Sequence, residues 1–299
     1  MQLNHKLYSC IMKKQHNSPH KWLQNFPFKK INSHKYSRGQ LIVVGSKKEM
    51  IGATLLSAEA ALRTGVGSVK IICSKQTLPI YSLRFPSLLK KEINTFEEFK
   101  NFVLKNNKST FLIGPGTGLN ELTKKKVIFL LKKIKNVILD ADALTSFRKN
   151  PKNLYKLLDK NKIITPHIKE FNTIFPNLNK TKKNYLKIIK ASKLVDCTIV
   201  LKGSTTYISN RKKILVNSNS TKELAVIGSG DVLSGIISSL VGKNKLNSFD
   251  ASCAGVWMHS EIGKRSGIGL IAEDLIKQLK PTLKKLYGKF VKQRTRNKS

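Results

Sequence analysis

The sequence predicts one α/β domain, a central mostly parallel sheet with helices on both faces. Three observations carry this reading. Short β-rich apolar runs recur at residues 41–44, 68–73, 110–113, 137–139 and 162–165. Longer stretches with apolar residues three or four apart alternate with them. Strand ends run into Gly, Pro or Asp, as in GPGTG (114–118), DADAL (140–144) and TPH (165–167). Strand–helix alternation with short connections requires crossovers, and hence parallel pairing.

The elements follow in order. Residues 41–44 end in Gly45 and read as a buried strand. IGATLLSAEAALRTGVG (51–67) is a helix closed by Gly65, and SVKIIC (68–73) is the next strand. Residues 96–106 form a helix, and 110–113 a strand running into GPGTG. A basic helix (120–134), a strand (137–139) and DADAL follow; Asp140 and Asp142 at that strand's end suit a metal or a nucleotide, or Asp142 caps the next helix. Pro166 stops the strand at 162–165 and places His167 at the same edge. Helices at 168–175 and 181–194 lead to TIVLKGSTTYI (198–208), a strand–turn–strand whose turn carries phosphate-compatible donors. A short strand (214–216), a helix with small residues on one face (248–263) and a last helix (270–279) complete the domain. No internal repeat or low-complexity linker interrupts residues 36–280.

Composition narrows the partners. At 299 residues with 40% hydrophobic and 24% charged content, the chain can bury a sizeable core. Its 56 Lys+Arg against 17 Asp+Glu give a net charge of +39, which suggests a polyanionic partner. The lysines are spread through nearly every segment, however, and no nucleic-acid-binding signature appears, so no specific nucleic acid is expected. Cys10, Cys73, Cys197 and Cys253 lack metal or CxxC spacing, so reduced thiols and a cytoplasmic location are expected. No apolar run reaches the ~18–20 residues of a membrane span. Residues 1–33 read as a basic extension packing partly on the body through Trp22, Phe26 and Phe28. Residues 34–280 are the domain, and 281–299 a basic tail.

The chemistry centres on LAVIGSGDVLSGIISSL (224–240). Gly228, Ser229 and Gly230 lead into Asp231 and an apolar helix. A glycine turn opening a helix presents backbone N–H groups without intrahelical partners, an anion site. A carboxylate beside such a site suits a base that takes a hydroxyl proton during phosphoryl transfer. The same Asp in a helix's first turn is also an ordinary stabiliser, so GSGD alone does not decide.

HKYSRGQ, IGATLLSAEAALRTGVGSV, IGPGTG, LDADALTSF, ITPH..EF, VLKGSTTYI, LAVIGSGDVLSGII and GLIAEDL run in order over residues 34–280. This series resembles the ADP-dependent NAD(P)H-hydrate dehydratases of the ribokinase-like superfamily. The resemblance implies a ribokinase-like fold and the dehydration of hydrated NADH or NADPH with ADP, releasing AMP and phosphate. It implies Asp231 as catalytic base, and Ala53, Gly116, His167 and Asp231 as dinucleotide contacts. Lys202, Gly203, Ser204, Thr205, Thr206 and Gly230 would contact the nucleotide, while Gly228, Ser229 and Gly230 form the anion hole. Mg²⁺ would accompany the nucleotide, with no protein metal ligands assigned. A homotetramer is implied as well. The epimerase domain that commonly precedes this one is not expected here, so epimerase activity would come from a separate protein.

Val226 and Ile227 stand where the family has smaller residues, Lys47, Lys48 and Glu49 where glycines are common, and Lys169 for the usual Gly. Bulk at 226 and 227 would narrow or stiffen the anion loop. A small-alcohol kinase of the same superfamily is the first alternative, stopping at the phosphorylated product. A basic nucleic-acid-binding protein on a degenerate enzyme fold is the second.

Overall fold

Each apolar run becomes a strand whose side chains alternate between two cores, in a computed structural model that describes residues 14–29, 32–241 and 246–296. Residues 1–13, Cys10 among them, and 297–299 lie outside the described residues. Leu41 and Val43 point to one core, Ile42 and Val44 to the other. Leu112, Ile138, Ile163 and Val200 repeat the first set; Phe111, Leu139, Ile164 and Ile199 repeat the second. Burial on both faces is why these strands read as continuous apolar runs.

The strands are β1 (Gln15–His16), β2 (Gln40–Val44), β3 (Ser68–Cys73), β4 (Leu89–Glu92), β5 (Thr110–Ile113), β6 (Val137–Leu139), β7 (Lys162–Ile164), β8 (Thr198–Leu201), β9 (Thr206–Ser209) and β10 (Ile214–Asn217). They form one ten-stranded sheet ordered β1-β10-β9-β8-β7-β6-β5-β2-β3-β4. Only β9 is antiparallel to its neighbours; the other pairings are parallel. The chain moves outward from β2 through β3 to β4, then resumes on the other side at β5. This reversal opens a crevice at the carboxyl ends of β2 and β5, where ligands bind in open α/β sheets.

The helices are α1 (Ile51–Thr64), α2 (Leu78–Ser82), α3 (Phe96–Lys105), α4 (Glu121–Lys133), α5 (Asp142–Thr145), α6 (Pro151–Tyr155), α7 (Ile168–Ile174), α8 (Asn184–Leu194), α9 (Ser229–Leu240), α10 (Ser248–Ser266), α11 (Ala272–Lys277) and α12 (Leu279–Arg296). α1, α2 and α9 to α12 cover one face; α3 to α8 cover the other. Among the described residues, no helix is long and apolar enough to cross a membrane. Cys73, Cys197 and Cys253 are free and buried.

Two segments differ from the sequence reading. The arm joins the core more fully than expected: Trp22, Leu23 and Phe26 are buried. β1 extends the sheet, and Trp22 meets Trp257 edge-on at 5.8 Å. The basic tail does not fray at its start, because α12 continues to Arg296. An acid-free stretch reads as a solvated tail, yet Leu279 and Leu286 are fully buried along one face, and the Phe290 ring meets Phe28 at a tilt, 5.1 Å between centroids. α2 and β4 were also not foreseen.

α1 and α9 cross in very close contact, and this crossing places the α9 turn. A Cβ on Gly235 would stand 2.2 Å from the Ser57 carbonyl oxygen. The Ser57 hydroxyl bridges the carbonyls of Ala53 and Asp231, each at 3.0 Å. Gly235→Val should therefore lower stability by roughly 1–3 kcal/mol through overpacking. A lowered thermal midpoint is the expected result; an unchanged one would show that the crossing tolerates bulk.

Candidate active site

α9 opens without a side-chain cap, on Gly228 in the left-handed region at φ 85°. A Cβ there would be strained and would meet Leu56 Cδ1 at 2.5 Å. The Ser229 N–H turns back to the Val226 carbonyl at 3.3 Å, and the Val232 N–H reaches Gly228 at 3.0 Å. The N–H groups of Gly230 and Asp231 have no protein acceptor among the described residues. Free donors at the positive end of a 12-residue helix attract an anion. Ile227 does not narrow this turn, because its side chain is 98% exposed. Val226 lines the neighbouring cavity instead.

The carboxyl ends of β6, β7 and β8 add the charges. Lys202 follows β8 and donates to Asp140 Oδ1 at 2.7 Å, with Glu170 Oε2 at 4.0 Å. A Cβ on Gly230 would lie 3.4 Å from the Lys202 Nζ, so the ammonium sits beside the α9 turn. Asp140 is 1% exposed and also accepts from the Ala141 N–H at 2.9 Å. Ala141 is held at φ 45°, a costly conformation for a residue with a Cβ. Asp142 points elsewhere, accepting from the Gly118 N–H at 2.7 Å and holding the GPGTG loop.

His167 caps α7. Its Nδ1 accepts from the Lys169 and Glu170 N–H groups at 3.1 and 3.3 Å, and Glu170 accepts from the His167 N–H at 2.8 Å. This reciprocal cap draws Glu170 back toward Lys202. Gly116 packs against the entry to α1, where an added Cβ would lie 2.6 Å from Met50 Cβ. The Lys47 side chain lies across Gly118, and the Lys47 N–H donates to the Gly116 carbonyl at 2.9 Å. Ala53 is tied to Asp231 through Ser57. The start of α1 and the GPGTG loop thus lie on one side of Asp231, and Lys202 with its turn on the other.

A cavity of about 690 Å³ adjoins the second side. Its wall includes His167, Lys202, Gly203, Ser204, Thr206 and Gly230; Thr205, expected with this group, is not part of it. A larger cleft of about 820 Å³ lies at the amino ends of the strands beside Lys135 and Asp196, remote from these groups. Size alone therefore does not mark the site; the convergence of charge and free N–H groups does. Among the described residues, no group of three or more His, Cys, Asp or Glu side chains is placed to hold a metal ion. Asp140 is committed to Lys202 and Asp142 to Gly118.

The electrostatics favour proton exchange near neutrality. Burial, then the Asp140 carboxylate, pushes Asp231 up to about 7, against the pull of Lys202. Burial, opposed chiefly by Lys202, leaves Glu170 raised to about 6. Burial pulls Lys202 down, but Asp140 and Glu170 outweigh it and keep the ammonium above its ordinary value. Burial and Lys202 lower His167, so the ring is neutral at pH 7. Sequence reading missed Glu170 and His259; the first was signalled by its place three residues after a helix-capping His.

A carboxyl raised on folding binds its proton more tightly in the native state, so native stability falls as pH rises from about 4 to about 7. Asp231→Asn removes that penalty. Its thermal midpoint should exceed the wild type's at pH 8, with the gain shrinking toward pH 4. A pH-independent difference would contradict the raised carboxyl.

The sequence profile described as NAD(P)H-hydrate dehydratase matches residues 41–281. An ADP-dependent (S)-NAD(P)H-hydrate dehydratase of Neisseria meningitidis is 31% identical over 274 residues, 87% of this chain and 89% of the relative. A bifunctional NAD(P)H-hydrate repair enzyme of Thermosynechococcus vestitus is 31% identical across 85% of this chain but only 51% of its own length. The chain thus spans about half of the bifunctional relatives. In fold it is similar to a ribokinase-like superfamily protein of Enterococcus faecalis, with a TM-score of 0.81, 22% identity and coverage of 91% of this chain and 96% of that one. It is similarly close to an ADP/ATP-dependent NAD(P)H-hydrate dehydratase of Bacillus subtilis co-crystallised with ATP and Mg²⁺, with a TM-score of 0.75, 23% identity and coverage of 91% and 98%. The fold is ribokinase-like, and the chain belongs to the NAD(P)H-hydrate dehydratase family.

Proposed function

We propose that this protein dehydrates hydrated NADH and NADPH back to the dinucleotides, using ADP and releasing AMP and phosphate. The observation that carries the reading is Asp231, a partly buried carboxyl raised to about 7 beside two free N–H donors and Lys202. A ring hydroxyl is a poor leaving group. Asp231 takes its proton as the hydroxyl oxygen attacks the terminal phosphoryl group of ADP, and AMP departs. Loss of phosphate and a ring proton then restores the double bond. The donors of Gly230 and Asp231 stabilise charge on the phosphoryl oxygens, and Lys202 adds a fixed positive charge.

The nucleotide occupies the cavity walled by Lys202, Gly203, Ser204, Thr206 and Gly230, in the same turn as Thr205. The hydrated dinucleotide lies toward Ala53 and Gly116 and meets His167, on the cavity wall beside Lys202, where the two ligands adjoin. Mg²⁺ belongs with the nucleotide phosphates, whose oxygens suit a hard cation. A cytoplasmic location, a homotetramer and a separate epimerase acting on the same substrates are further parts of the proposal and rest on the family resemblance.

The direct test mixes the protein with hydrated NADH, Mg²⁺ and ADP or ATP and follows recovery of the reduced-nicotinamide absorbance. Recovery with ADP, with AMP and phosphate appearing in step, is expected. Phosphorylated substrate without recovery would favour the small-alcohol kinase. Asp231→Ala should abolish turnover while ADP still binds, and Lys202→Ala should weaken ADP by roughly 10-fold or more, from loss of a charged contact. Unchanged turnover or ADP affinity would overturn the respective role.

A further inference from the structure

The α9 turn offers a donor beyond its backbone. Ser229 is 4% exposed and lines the cavity beside Lys202 and Gly230. His259 reaches it from α10, with Nε2 3.0 Å from the Ser229 Oγ and 3.0 Å from the Ser229 carbonyl oxygen. A carbonyl oxygen only accepts, so the proton sits on Nε2. The same N–H is then shared with the Ser229 Oγ, which acts as acceptor. The serine's own proton is left without an acceptor among the described residues, in a buried group at the cavity wall. Burial holds His259 down at about 4, so the ring is neutral at pH 7.

We propose that His259 is a positioning residue that fixes the Ser229 hydroxyl as a third donor of the anion cradle, aimed at the terminal phosphate of a nucleoside diphosphate. The two backbone donors, of Gly230 and Asp231, come from the helix end. Neither depends on a side chain. The hydroxyl does, because a serine can rotate among three rotamers. His259 removes that freedom by offering an N–H to the carbonyl and the oxygen together. The ring reaches the turn from the helix facing α9, so it also ties α10 to the first residue of α9. The role of the cradle rests on the nucleotide reading above.

Binding measurements separate the two claims, because they need no turnover. ADP and AMP affinities are measured by calorimetry for wild type, Ser229→Ala, His259→Gln and His259→Leu, with melting curves for each. Ser229→Ala should weaken ADP about tenfold, the size of a lost hydrogen bond to a charged group, and leave AMP within about twofold. His259→Leu should reproduce that pattern. His259→Gln should restore ADP binding to near wild type, since its amide N–H can donate where Nε2–H did. Equal losses for ADP and AMP in Ser229→Ala would overturn the assignment to the terminal phosphate. A folded His259→Gln as weak for ADP as His259→Leu would overturn the positioning role. Should His259→Leu not fold, a folded His259→Gln as weak for ADP as Ser229→Ala overturns the positioning role. A wild type that binds neither nucleotide would instead defeat the nucleotide reading itself.

Discussion

The site depends on one ion pair, Lys202 with Asp140 at 2.7 Å, made across the carboxyl ends of β8 and β6. A buried pair of this kind is weak evidence for stability, because desolvation offsets much of the attraction. Its effect is to place charge. Lys202 comes to rest beside Gly230, where an added Cβ would lie 3.4 Å from its ammonium. Burial first, and then the Asp140 charge, raise the nearby Asp231 carboxyl, while Lys202 pulls the other way. Breaking the pair would strand a buried charge and at once alter the anion site and the base.

Packing of α1 and α9 on one face of the sheet serves the same arrangement. The contact between Gly235 and Ser57 lets α9 approach α1, and the Ser57 hydroxyl ties the carbonyls of Ala53 and Asp231. The reversal of strand order at β2 and β5 opens the crevice into which both helix ends face. Asp140 and Asp142, separated by the strained Ala141, then join opposite sides: one holds Lys202, the other holds the GPGTG loop through Gly118. The backbone strain at Ala141 has a clear structural consequence, since it sends two neighbouring carboxylates to different loops.

Much of this was legible in the sequence. Continuous apolar runs and glycine-marked connections pointed to the parallel sheet, and GSGD at a helix start pointed to the candidate anion site. Asp140, Asp142 and His167 could be placed at one sheet edge because strand ends are visible as Gly, Pro or Asp. Their partners could not be read. Lys202 and Asp140 are 62 residues apart and meet only through strand order. His259 lies in a helix read for its small face, and its bond to Ser229 depends on how α10 crosses α9. The helix at residues 279–296 was hidden by its lack of acids, since its apolar stripe finds its partners only in the folded chain, on α1, α10 and Phe28 of the arm. The side chain of Ile227 looked obstructive because direction is a property of the turn, not of the residue.

The most direct test of the account is the titration of Asp231 itself. Carbon NMR of aspartate-labelled protein, assigned with Asp231→Asn, follows that carboxyl from pH 4 to 9. The account predicts a midpoint about 7, set by burial and by Asp140. A midpoint near the ordinary aspartate value of ~4 would contradict it. Asp231 would then be a solvated helix-end carboxylate, and the base for the hydroxyl proton would have to be sought elsewhere.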